Sequence, residues 1–184
     1  MNTNLLKAIS LYEFYTQLFL LIIGISTRNT FILLLFIILN SRHIFVQFVK
    51  RYLSVFFKDM SKRPEDAFDC NVINSGGKSH TSGLISGHVF YISTIAFYFI
   101  YLFSNNLRQL PNSKQIVFII LLILFALMVM LSRVELHCHT KSQVYLALAL
   151  GMLWGNLVYF VSEKIIETSD RLKEDKQKIM NLFE

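Results

Sequence analysis

Three long apolar runs dominate the second half of the chain. Residues 89–107, 115–132 and 142–162 contain no charged side chain, and each is long enough to cross a bilayer as a helix. The first half is more broken. Residues 14–27 and 29–41 are charge-free but short, and Arg28 separates them. Asn29 and the threonines around it are helix-stop and helix-cap residues, so the pattern predicts two helices with a tight turn at 26–29 rather than one long tilted helix. The first would run back towards Leu5 and carry Glu13 near its end. The second would run past Arg42 to about Val49 and continue as an amphipathic stretch to Phe57. Lys7 and Glu13 interrupt the N-terminal run and no cleavage site follows it, so a retained membrane helix is expected there, not a signal peptide. The expectation is an all-α polytopic membrane bundle of about five transmembrane helices. It forms a single domain over residues 1–162, followed by a charged tail helix over 163–184 that reads as solvated surface.

Composition agrees with a bilayer as solvent. Of the 184 residues 54% are hydrophobic and only 16% charged. The formal charge of +6 is spread between the apolar runs, as juxtamembrane positive charge, and does not form a nucleic-acid surface. An integral, multi-pass membrane protein follows. The two cysteines, Cys70 and Cys138, fall in polar segments on one side of the membrane, where a disulfide or two free thiols are both open. The longest polar segment, 58–86, includes SGGKSHTSG and reads as irregular loop. The third and fourth helices lead the chain out and back. This loop and the turn at 133–143 must therefore share a side.

Those two connections hold the residues with chemistry. Lys58, Lys62 and Arg63 form a basic cluster before Pro64, and arginine offers a planar fork of donors to phosphate. Ser86, Gly87 and His88 stand at the start of the third helix, where unpaired backbone N–H groups favour an anion. Ser132 and Arg133 end the fourth helix. His139 follows, with Gln143 one helical turn beyond, placed to orient the imidazole. The set suits phosphoryl transfer. Lys58, Arg63, Ser86, the Gly87 N–H and Arg133 would hold phosphate oxygens, His139 would attack phosphorus, and His88 would protonate the leaving oxygen. No metal or other cofactor is called for: the H-C-H string at His137–His139 lacks a fourth ligand. Glu135 reads as surface charge and His80 as loop.

These motifs resemble those of the type-2 phosphatidic acid phosphatase family, K-x6-RP, PSGH and SR-x5-H-x3-D. Arg63-Pro64, Ser86-Gly87-His88, and Ser132, Arg133 and His139 match in order over a motif region of about 58–150. The resemblance implies a lipid phosphatase acting through a phosphohistidine on a lipid phosphate or isoprenoid diphosphate. Three positions depart. Phe56 stands where the first motif has lysine, leaving Lys58 as the replacement by spacing. Ile85 replaces proline, and Gln143 replaces aspartate. HTKSQV is similar to the dolichyl-diphosphatase branch, where glutamine occurs at this place. If Gln143 only orients His139, aspartate there should keep or raise activity. The departures also open two alternatives: a catalytically impaired member that binds lipid head groups as a membrane structural protein, and a head-group phosphotransferase.

Overall fold

The computed structural model describes residues 11–67, 70, 82–105 and 112–183. The Gly76-Gly77 stretch and His80 lie outside the described residues. Helix α1 spans Tyr12–Ser26 and α2 spans Thr30–Phe48. A π-helical turn, Val49–Leu53, and two short helical pieces, Ser54–Phe56 and Lys58–Ser61, carry the chain on from α2. The segment at 58–61, expected as loop, is therefore a helical turn. Then come α3 (Gly87–Asn105), α4 (Ser113–Glu135), α5 (Lys141–Glu167) and α6 (Asp170–Asn181).

Four of these stretches are long and apolar enough to cross a membrane: Thr30–Phe56, Gly87–Ser104, Ser113–Glu135 and Lys141–Glu167. The protein is a polytopic helical bundle. Helix α1, the fifth expected crossing, has 15 described residues. At 1.5 Å per residue that is about 22 Å, short of a hydrocarbon core of about 30 Å. The turn between α1 and α2 forms where the sequence places it. Arg28 takes a left-handed backbone (φ 51°), and the Asn29 side chain caps α2 by accepting from the Ile32 N–H at 2.9 Å.

The central element is α3, whose principal partner is α5. Their close approach rests on two glycines one turn apart on α5. A Cβ on Gly151 would lie 2.6 Å from the Phe90 carbonyl oxygen, and one on Gly155 would lie 2.7 Å from that of Thr94. With so little between the backbones, Thr94 Oγ1 reaches the Gly151 carbonyl at 3.3 Å. Towards one end of the bundle, Phe31, Tyr98, Leu102, Phe103 and Tyr159 pack together. Towards the other, Val46, Ile85, Phe90, Val129 and Ala147 do so.

The tail is not wholly solvated. Helix α5 runs past Ser162 to Glu167, and α6 folds back under the bundle. Asp175 accepts from the Thr30 N–H and Oγ1, both at 2.8 Å, and Lys176 pairs with Glu163 at 2.7 Å. The helix is amphipathic: Met180 is buried in the core while Lys173 and Lys178 stay exposed. The hydrogen bonds at the start of α2 hold the Asp175 carboxyl down at about 2. Charge count alone concealed this docked face.

Candidate functional site

At the end opposite α6, the C-terminal part of α2, the start of α3 and the α4–α5 turn converge, as the topology requires. The turn is tight. His137 takes a left-handed backbone (φ 54°), and the N–H groups of Cys138 and His139 both reach back to the Arg133 carbonyl. Thr140 then caps α5 in a reciprocal box with Gln143. His139 is thereby fixed just ahead of α5, only 4% exposed.

The hydrogen bonds settle the imidazole's tautomer. His139 Nδ1 lies 3.2 Å from the Gly83 carbonyl and 3.2 Å from Gln143 Oε1. Gln143 Nε2 donates to the carbonyls of Met60 at 2.8 Å and Lys62 at 2.7 Å, so the oxygen of its amide is the atom facing His139. Both neighbours of Nδ1 are acceptors. Nδ1 therefore carries the proton, and Nε2 keeps its lone pair. Nε2 lies 3.4 Å from Arg63 Nη1, which also donates to the Cys138 carbonyl at 2.8 Å. Burial, and after it the charges of Arg63, Arg133 and Lys50, hold the His139 pKa well below the ordinary imidazole value. The ring is neutral at neutral pH.

A cavity of about 210 Å3 opens beside this ring. His139, Arg63, Cys70, Gly87 and His88 line one side. Glu13 of α1, the α2 residues Arg42, His43, Val46 and Gln47, and Lys50 of the π-helical turn line the other. His88 and His139 thus share one cavity with Arg63. A Cβ on Gly87 would meet nothing nearer than Val46 Cγ1 at 4.0 Å, so this glycine leaves open space at the helix start.

Several expected residues sit elsewhere. Lys58 is exposed and is not among the cavity's lining residues, whereas Lys50 is. Spacing from Arg63 pointed to Lys58 because it assumed a regular path. The π-helical turn at Val49–Leu53 and the two short pieces after it take up extra residues, and the lysine that shares the cavity with Arg63 lies farther back. Ser86 is fully buried, and its Oγ accepts from the Val89 N–H at 3.5 Å as a cap of α3 instead of lining the cavity. Ile85, in the place of proline, is buried core. Arg133 lies buried behind the cavity wall, where Nη2 donates to the Cys70 carbonyl at 2.8 Å. Cys70 and Cys138 form a disulfide with a Cα–Cα distance of 5.4 Å. It ties the segment after Arg63 to the turn before His139. Cys138 is therefore no thiolate ligand, and His137 pairs with Asp66 at 2.7 Å.

Sequence reading missed Gly83. A Cβ there would lie 2.8 Å from Arg63 Cγ and 3.0 Å from Gln143 Nε2, so a side chain at this position would displace Arg63 and crowd Gln143. It also missed Arg42, His43, Gln47 and Lys50. Their near i, i+4, i+8 spacing on an otherwise apolar helix was the available signal.

The family model for the PAP2 superfamily matches residues 29–167, well over half of the chain. The chain belongs to the PAP2 superfamily. Membership carries a phosphatase-type function on lipid phosphates at the level of the family, in an integral multi-pass membrane protein. No curated protein and no solved structure matches the chain. Helix α1, with Glu13, lies outside the stretch that the PAP2 model matches, yet it contributes to the cavity.

Proposed function

We propose that this PAP2 protein hydrolyses a lipid phosphate or lipid diphosphate at the bilayer surface, through a phosphohistidine on His139. The observation that carries the reading is the pair of acceptors on Nδ1, which leaves Nε2 as the unprotonated nitrogen beside Arg63 in a cavity shared with His88. His139 Nε2 attacks phosphorus while the bond to the lipid oxygen breaks. Protonated His88 gives its proton to that oxygen. Neutral His88 then takes a proton from water, which displaces the phosphoryl group from His139 and releases phosphate. Arg63 and Lys50, with the N–H groups at the start of α3, face the charge on the non-bridging oxygens. Arg133 acts from behind, through the Cys70 carbonyl and the field at His139. The lysine role assigned to Lys58 by spacing passes to Lys50.

The test uses purified protein in detergent with a lipid phosphate labelled on phosphorus. Wild type should release phosphate and, on rapid quenching, carry an acid-labile, alkali-stable label. His139→Ala should lose both, with turnover down by at least about a thousandfold. Undiminished turnover in that variant overturns the mechanism. Product that appears only when an acceptor lipid alcohol is added assigns transfer in place of hydrolysis.

A further inference from the structure

The cavity holds an ion pair that none of the phosphate motifs contains. Glu13 is 8% exposed and Arg42 2%, and the Glu13 carboxylate pairs with Arg42 Nη2. The other arm of the guanidinium, Nη1, donates to the Gly87 carbonyl at 3.3 Å, and its face lies 4.0 Å from the centre of the Tyr91 ring. Arg42 is thus held against the wall by a carboxylate, a carbonyl and an aromatic face, although it lines the same cavity as Arg63 and Lys50.

A carboxylate in the wall of an anion site repels the ligand that the site is built to hold. Membrane-edge ion pairs are costly and mark function. Its effect here is on charge. Among the described residues, Arg42, Lys50 and Arg63 are the lysine and arginine side chains on the wall, and Glu13 is the carboxylate. Imidazoles aside, the fixed charge of the described lining residues is therefore +2, where without Glu13 it would be +3. A phosphate monoester carries nearly two negative charges at neutral pH, and a diphosphate monoester carries about one more. We propose that Glu13, by engaging Arg42, sets the cavity for a phosphate monoester, and that it is the residue that disfavours a second phosphate. The inference rests on the phosphatase reading for its substrate, but its test reads binding apart from turnover.

The measurement is the ratio of dissociation constants for inorganic diphosphate and inorganic phosphate, by calorimetry on the full chain in detergent. Glu13→Gln frees Arg42 for the ligand and should lower that ratio by about tenfold or more, since one charge is added within a few ångströms of the anion. The double variant Glu13→Gln/Arg42→Gln has neither charge. It should return the ratio to within about threefold of wild type, and it leaves no buried charge unpaired. A ratio unchanged in folded Glu13→Gln overturns the proposal. So does a double variant that shifts the ratio as far as the single one, or a wild type that binds neither anion. If Glu13→Gln does not fold, Glu13→Gln/Arg42→Lys takes its place with the same charge and a shorter cation: a lowered ratio supports the proposal and an unshifted one overturns it. Phosphate release from a lipid phosphate is measured in parallel. A shifted ratio without release leaves the Glu13 reading standing and removes hydrolysis, whereas release with an unshifted ratio does the reverse.

Discussion

At the residue scale, Gln143 does two things with one amide. Its oxygen faces His139 Nδ1 and accepts from the Thr140 N–H at 3.1 Å, while its nitrogen donates to the Met60 and Lys62 carbonyls. It is 1% exposed, and every polar atom of the amide is engaged. The amide is thus both an orienter of the His139 ring and a clamp on the segment that leads into Arg63. An orienter alone would tolerate aspartate, as the i, i+4 spacing suggested. The clamp does not: aspartate has no donor for the two carbonyls and brings a charge against them. Gln143→Asp should therefore lower kcat/KM by about tenfold or more. It should also raise the acid limb of the pH profile, because a carboxylate beside Nδ1 stabilises the imidazolium that burial, and after it Arg63, Arg133 and Lys50, disfavour. Activity retained with an unmoved limb would show that the clamp is unimportant. That His139 and Arg63 would lie together was legible from motif spacing. Gly83 and the clamp were not, because both depend on partners 56 and 81 or more residues away.

At the scale of elements, helices α2 to α5 could be read from length and charge-free composition, since nothing but a helix satisfies its own backbone in lipid. Their pairing was not legible. Apolar side chains are equally at home against lipid and against another helix, so hydrophobicity does not tell α3, the most buried span, from α4, the most lipid-exposed. Glycine decides instead: α5 turns Gly151 and Gly155 to the backbone of α3. Since Phe90 O and Ser93 Cβ would lie within 2.7 Å of a new Cβ on Gly151, backbone must move to admit one. Gly151→Val should thus destabilise the bundle by about 1–3 kcal/mol. The start of α3 would shift with it, lowering activity. A thermal midpoint in detergent equal to wild type would refute this packing account.

For the whole molecule, the disulfide and the tail helix lie at opposite ends. Cys70–Cys138 sits at the cavity, and its two carbonyls hold Arg133 and Arg63. Arg28, Lys114, Lys164 and the basic residues of α6 gather at the far end. Disulfides persist in oxidising compartments, and positive loops favour the cytoplasmic side. The cavity should face the oxidising side. In sealed vesicles of known orientation, a membrane-impermeant maleimide should label Cys70 and Cys138 from that side alone, and only after reduction. Labelling without a reductant, or from the other face, contradicts the arrangement.

The amino-acid sequence by itself determined that this chain spans a membrane, roughly where its helices lie, and that the segments holding Arg63, His88 and His139 share one end. Run length, charge placement and motif spacing are local quantities, and a lipid solvent enforces them directly. Only the tertiary structure decided which lysine shares the cavity with Arg63, which nitrogen of His139 carries the proton, and that Glu13 and Arg42 belong to the same cavity. Each of these depends on side chains brought together from different helices. An irregular turn, such as the one at Val49–Leu53, shifts which side chains meet without any change in the motif that spacing alone can read.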